Sequence, residues 1–168
     1  MKTKRVTKVP RLTKSTTAYG LLDMVRDVIL EEPRRYNQSW WISRPNYFPK
    51  KVREFPSCGT VCCVAGWVET LRGTPTKAVA LTKVFTDNNG YRIATTAQRA
   101  LGLSAEQAST LFGAGALLSH RGGRAMPAQG SLAYARLGAK HIAEFQKQHE
   151  PQLRAKVVRP VRSKGTGK

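Results

Sequence analysis

The stretch from Cys58 to Gly73 limits what this chain can fold into more than any other. Val61, Val64, Ala65, Val68 and Leu71 recur at three- and four-residue spacing, which places them on one helical face. Gly59-Thr60 supplies a turn and an N-cap ahead of them, because a threonine oxygen accepts from the free N–H groups of a first turn. Gly73 suits the residue just past a helix end, and Thr74-Pro75 prevents continuation. All three cysteines (Cys58, Cys62, Cys63) and Trp67 fall inside the stretch. Gly66 costs a helix interior roughly 1 kcal/mol against alanine, so it marks close approach of a neighbour. The spacing predicts a short core helix against which the other elements pack.

Other helices follow the same logic. Thr16 or Thr17 caps a helix over about Ala18 to Glu32, with Leu21, Leu22, Val25, Val28 and Ile29 on one stripe and Pro33 ending it. Thr95 or Thr96 starts another to about Leu101, with Ala97, Ala100 and Leu101 inward, before Gly102 breaks it. Ser104 with Gln107 forms a capping box for a helix burying Ala108, Leu111 and Phe112. Ser131 opens a last helix to about His149, with Leu132, Ala135, Ala139, Ile142 and Phe145 as its apolar face and Pro151 ending it. The expected fold is mainly α, a bundle of about five short helices. A short β-hairpin around Asn88-Asn89-Gly90 is one reading of residues 78–93, and a loop or short helix is the other.

Cys58-Gly59-Thr60, Cys63-Val64-Ala65-Gly66-Trp67, Leu101-Gly102-Leu103-Ser104, Gln107-Ala108 and Leu111-Phe112 together form a pattern. It resembles a family of small proteins found in bacteriophages and some bacteria. The resemblance spans residues 18–113 and implies a helical fold and a phage or mobile-element origin. That family has no settled activity, so the resemblance transfers no functional residue.

Charge decides most of what can be said about function. The 168 residues carry 29 Lys and Arg against 10 Asp and Glu, a net charge of +19. Lys2, Lys4, Arg5, Lys8, Arg11 and Lys14 lie in an acid-free N-terminus, and Arg154, Lys156, Arg159, Arg162, Lys164 and Lys168 in an acid-free C-terminus. Without these twelve the remainder carries +7. The expected organisation is a flexible basic arm over 1–16, one helical domain over 17–150 and a flexible basic tail over 151–168. Arms of this kind bind phosphate backbones by counterion release, serve as solvated tails, or touch acidic proteins. No run approaches membrane-spanning length, and the N-terminus lacks the apolar core of a secretory signal. With an odd cysteine number, a cytoplasmic location is expected, in the host if a phage encodes the chain.

Residues 36–56 interleave Tyr36, Trp40, Trp41, Tyr47, Phe48 and Phe55 with Arg34, Arg35, Arg44, Lys50, Lys51 and Arg53. Stacking rings among cations suit single-stranded nucleic acid, although the same aromatics also suit a core plug with the cations facing solvent. Pro45, Pro49 and Pro56 argue against regular structure there. Arg121 and Arg124 flank Gly122-Gly123 in a Gly/Ala-rich connection, where backbone N–H groups can approach a phosphate. The spacing is not that of a P-loop. The helix pair around Gly102 invites a helix-turn-helix reading, but its second helix offers Glu106, Gln107, Ser109 and Thr110 and no cation, so a packed hairpin is favoured.

Cys62 and Cys63 would sit in a helical first turn, where the dipole lowers a thiol pKa. A partner histidine would have to be distant His120, His141 or His149. Structural thiols are favoured over a nucleophile, a zinc site or a Cys58–Cys63 disulfide. No convergent carboxylate set is present for a two-metal nuclease. The expectation is a non-enzymatic protein binding DNA or RNA through phosphates with low sequence specificity, with no cofactor, metal, membrane or small-molecule substrate. The expected contacts are Lys2, Lys4, Arg5, Lys8, Arg11, Lys14, Arg34, Arg35, Trp40, Trp41, Arg44, Tyr47, Lys50, Lys51, Arg53, Arg121, Arg124, Arg154, Lys156, Arg159, Arg162 and Lys164. The alternatives are a phage effector docking on a host or phage protein, and a thiol-dependent enzyme.

Overall fold

Helix α1 (Ala18–Glu31) follows directly from its sequence. Thr17 caps it by accepting from the Gly20 N–H at 3.1 Å, and Leu21, Leu22, Val25, Val28 and Ile29 are all buried. Pro33 then opens a single 3-10 turn (Pro33–Arg35). The computed structural model describes residues 12–38, 42–43, 61–73, 88–113, 117 and 125–161. Within them lie α1, two short strands β1 (Ile42–Ser43) and β2 (Val61–Cys62), and helices α2 (Val64–Leu71), α3 (Asn88–Leu101), α4 (Ala105–Phe112), α5 (Leu132–Gln148) and α6 (Glu150–Ala155). The architecture is mainly helical, a bundle of six α-helices among the described residues. One cluster of buried apolar side chains draws on all of these helices.

Helix α5 is the long partner of α1. Ser131 caps it, and Ala135, Ala139, Ile142 and Phe145 face the core. Leu132 was expected on that face but is 44% exposed; in the same first turn it is Tyr134 and Ala135 that are buried. The two helices share a polar tie at Gln146. Its Nε2 donates to the Tyr19 carbonyl and to Asp23 Oδ1, both at 3.0 Å, while Oε1 accepts from Arg26 Nη1 at 3.3 Å.

The segment after the 3-10 turn passes through the middle of the bundle. Tyr36 is wholly buried, its ring 5.4 Å from that of Tyr134. Gln38, only 3% exposed, engages three partners through its side-chain amide, two of them distant in sequence. Its Oε1 accepts from the Tyr36 hydroxyl at 3.1 Å and from the Val64 N–H at 3.4 Å, and its Nε2 donates to the Leu111 carbonyl at 3.0 Å. The Gln38 N–H donates to the Tyr134 hydroxyl at 3.2 Å. This segment is tied to α2, α4 and α5 at once.

Four boundaries differ from expectation, each for a physical reason. Helix α2 starts at Val64 rather than near Val61, because Val61 and Cys62 pair antiparallel with Ser43 and Ile42. Asn37 also donates its N–H to the Cys62 carbonyl at 3.2 Å. Residues 88–93 are not part of a hairpin: α3 begins at Asn88, and Ile93, Ala97 and Leu101 form a buried i, i+4, i+8 stripe. Burying that stripe outweighs the local turn signal; residues 78–87 of the proposed hairpin lie outside the described residues. Pro151 does not end helical structure. It stands in the first turn of α6, where proline's missing N–H is harmless, so the chain bends at His149 and resumes. The tail expected to begin at 151 is therefore packed as far as Val161, with Leu153 and Val158 buried.

Gly138 sits where α5 meets Tyr36, and a Cβ built there would fall 2.4 Å from the Tyr36 ring. Gly138→Ala should therefore destabilise the fold by roughly 1–3 kcal/mol or more in denaturant unfolding. Gly20→Ala is the matched control, since its Cβ would meet nothing nearer than Thr17 Oγ1 at 3.6 Å. It should be neutral or stabilising by up to roughly 1 kcal/mol. Equal losses at both positions would contradict the close approach of α5 to Tyr36.

Candidate nucleic-acid interface

Positive charge on this surface is set by which cations the helices neutralise locally. Carboxylates pair three or four residues away along their own segment: Asp23 with Arg26 at 3.1 Å, Glu32 with Arg35 at 3.1 Å, Glu69 with Arg72 at 2.5 Å, Glu144 with Lys140 at 3.6 Å and Glu150 with Arg154 at 2.6 Å. Exposed pairs of this kind contribute only about 0.2–0.5 kcal/mol to stability. Their larger effect is to remove acids and cations together from the available charge. Lys14, Arg34, Arg99, Arg136, Lys147, Lys156 and Arg159 are left exposed, with no ion pair among the described residues.

Several expected contacts change role. Arg35 is 6% exposed, and its guanidinium lies 4.8 Å over the buried Trp67 ring with Glu32 beside it. It is a core residue and not a phosphate contact, because the 3-10 turn rotates it inward while Arg34 faces out. Arg154 is exposed but engaged on both sides, by Glu150 and by the Tyr19 ring at 4.1 Å. Lys14, Arg34, Lys156 and Arg159 keep the exposure their proposed role needs. Arg99, Arg136 and Lys147 join them; as single cations on helix faces, they gave no cluster signal in sequence. Lys2, Lys4, Arg5, Lys8, Arg11, Trp40, Trp41, Arg44, Tyr47, Lys50, Lys51, Arg53, Arg121, Arg124, Arg162 and Lys164 lie outside the described residues.

The two ends of the chain meet in a backbone seam. The Ala18 N–H donates to the Lys156 carbonyl at 2.7 Å, and the Val158 N–H donates to the Thr16 carbonyl at 2.8 Å. Thr17 and Val157 form an antiparallel bridge between them. The Lys156 carbonyl thereby satisfies one of the free donors at the start of α1. Further along, the Val161 N–H donates to the Arg72 carbonyl at 2.8 Å, closing the segment over the end of α2. Beneath it Val158 is buried, and Val157 above it is exposed. Lys14, Lys156 and Arg159 therefore lie on one short stretch of paired backbone, with Arg72 at its end.

A second clasp holds the approach to this seam. Gln152 Nε2 donates to the Gly102 carbonyl at 2.6 Å, which fixes its amide so that Oε1 accepts from Gln107 Nε2 at 2.9 Å. Gln107 is oriented in turn by its capping-box bond from the Ser104 N–H at 2.8 Å, so its Nε2 faces His149 Nδ1 at 3.2 Å. The first turn of α4 is thus occupied by α6 and by the residue joining α5 to α6. A recognition helix reads bases with its N-terminal residues. This geometry, with Gly102 at φ +69° between α3 and α4, is that of a packed hairpin.

Cys62 and Cys63 are both buried. Cys62 lies on β2 and Cys63 at the N-cap position of α2, not in a helical first turn. Burial pushes the Cys63 thiol up to about 11, against the opposing pull of the Gly66 and Ala65 N–H groups. Burial raises Cys62 further, with Cys63 adding to it. Neither thiol has the first-turn placement that would lower its pKa, and both are buried, as the favoured reading of structural thiols requires. His141 Nε2 is committed to the Thr110 carbonyl at 3.1 Å. No group of three His, Cys, Asp or Glu suited to a metal occurs among the described residues. No helix among them is long and apolar enough to cross a membrane.

With Cys58 replaced by serine, native protein at neutral pH should leave Cys62 and Cys63 unlabelled by iodoacetamide, while unfolded protein labels both, as read by mass spectrometry. Rapid native labelling would contradict their burial. The folded thiols bind protons more tightly than unfolded ones, so stability is full below an ordinary thiol pKa of 9.0 and falls as pH rises toward about 11. A chain ending at Ala155 should lose the seam and unfold at markedly lower denaturant, whereas one ending at Val161 should match the full chain.

Comparison with known proteins adds no template: no family model, curated relative or solved structure matches the chain, so the seam is interpreted from its own geometry.

Proposed function

We propose that this protein binds nucleic acid through phosphate contacts, with low sequence specificity and no catalytic turnover. The observation that carries the proposal is the separation of charge. The acids of the described helices are largely consumed by neighbours on their own segments, while exposed cations have no ion pair among the described residues and both acid-free termini add more. A surface of this kind releases counterions on meeting a polyanion, and the gain does not depend on base sequence. The sequence pattern around Cys58–Trp67 adds the proposal of a phage or mobile-element protein working in the host cytoplasm, where nucleic acid is at hand and thiols stay reduced.

The seam fixes where the terminal charge can be removed without disturbing the fold. Residues 1–11 carry five cations and residues 162–168 carry three, and every hydrogen bond of the seam lies between these limits. The test compares full chain and doubly trimmed chain on a mixed-sequence duplex across a salt series. The full chain should show a steep fall of log affinity with log salt, and trimming should flatten that slope by up to about 7, at roughly 0.9 per phosphate released. Scrambling the duplex sequence should change little. Unchanged affinity and slope after trimming would refute the proposal and favour an acidic protein partner steered by the same charge.

A further inference from the structure

We infer that the folded seam is itself a phosphate-binding site, at which Lys14, Lys156 and Arg159 together receive one face of a nucleic-acid duplex over about half a turn. The inference rests on the phosphate-binding proposal and assigns it to a particular surface. The Thr17–Val157 bridge turns Ala18 and Val158 to one side, where both are buried. Alternation along the paired backbone places Lys156, opposite Ala18, on that same inner side, yet Lys156 is exposed. Gly102 is the reason. A Cβ built there would fall 3.1, 3.2 and 3.3 Å from Lys156 Cδ, Cγ and Cε, so the stem of Lys156 crosses the bare glycine to bring its ammonium to solvent. The lysine is thereby directed along a packed path instead of sweeping freely.

Arg159 is fixed through its neighbours. Val158 before it is bonded to Thr16, Val161 after it to Arg72, and Arg72 Nε donates to the Arg159 carbonyl at 3.5 Å. Lys14 stands in the turn that the Thr16 N–H closes on the Thr13 carbonyl at 3.3 Å. Chain steps and paired-strand spacing then keep the three Cα atoms within about 17 Å of one another. A duplex presents about ten charges over that length of axis. The carboxylates nearest along the chain to Lys14, Arg72 and Lys156 are held by other groups: Asp23 by Arg26 and Gln146, Glu69 by Arg72, and Glu150 by Arg154. The backbone beneath the three cations is already bonded, so meeting a phosphate orders little beyond the side chains themselves.

The experiment uses the full chain with point substitutions and measures affinity for a mixed-sequence duplex of about 20 base pairs across a salt series. Thermal unfolding of each variant checks that the fold is kept. Lys14→Gln, Lys156→Gln and Arg159→Gln should each weaken binding about fivefold to tenfold at about 0.1 M salt and flatten the log–log slope by about 0.9. The triple variant should flatten it by roughly 2.7. Lys156→Arg keeps the charge on a stem that still crosses Gly102 and should bind within about twofold of the parent chain. Lys140→Gln removes the same unit charge outside the seam, from an exposed lysine of α5 that lies 3.6 Å from Glu144. It should weaken binding less than about twofold. Losses at Lys140 equal to those at the seam would mean diffuse attraction, overturning the site while leaving the phosphate proposal standing. A steep parent slope that the triple variant leaves unaltered would overturn the site in the same way and move the contacts to other cations. A parent chain without salt-dependent duplex binding would overturn both.

Discussion

The side chain of Gln38 is the point on which the rest of this structure depends. An amide with two acceptor and two donor positions is buried at the centre of a helical bundle, where an unsatisfied polar group costs about 1–3 kcal/mol. Its acceptor oxygen takes both the Tyr36 hydroxyl and the Val64 N–H, and its nitrogen serves the Leu111 carbonyl. The first of these orients the ring that Gly138 admits into α5, the second supplies the start of α2, and the third reaches the end of α4. Asn37 does the same for β2 through the Cys62 carbonyl and reaches Gln129 at 2.8 Å through its own amide. Three elements far apart in sequence are thereby brought into register by two adjacent amides.

The same economy of backbone groups governs the ends of the chain. A helix start carries free N–H donors, and a C-terminal extension carries free carbonyls. Here they meet, at Ala18 and Lys156. Buried Leu153 and Val158 supply the apolar area that keeps the extension down. The consequence for function is geometric. A fold that pairs residues 16–18 with residues 156–158 brings the exposed cations Lys14, Lys156 and Arg159 to one seam.

How far the sequence showed this varied with the range of the forces involved. Helix α1 was legible almost to the residue, because Thr17, the Leu21–Ile29 stripe and Pro33 are local signals that the core does not contradict. The Ser104–Gln107 capping box was equally plain. The start of α2 was not, since its N–H partner is Gln38, 26 residues away, and the local Thr60 signal pointed too early. The Asn-Gly turn signal near residue 90 lost to the buried Ile93–Ala97–Leu101 stripe. Pro151 reads locally as a helix stop, although proline suits a helix start equally well. At the candidate interface, charge alone could not distinguish Arg34 from Arg35. Only the turn that sends one to solvent and the other over Trp67 separates them. The pairing of the termini had no sequence signal at all, because backbone bonds between distant segments carry none.

The most direct measurement is native-state hydrogen exchange of the Ala18, Val158 and Val161 amides, resolved residue by residue by NMR. If the C-terminal segment is docked as described, these three amides exchange slowly, with Ala18 and Val158 protected to a similar degree because their bonds break together. The amides of Lys14 and Ser15, which lie on the exposed turn beside them, should exchange quickly. Fast exchange at both Ala18 and Val158, in a protein whose Leu22 and Ile142 amides stay protected, would mean that the bundle folds without the seam. The two basic termini would then share no anchor.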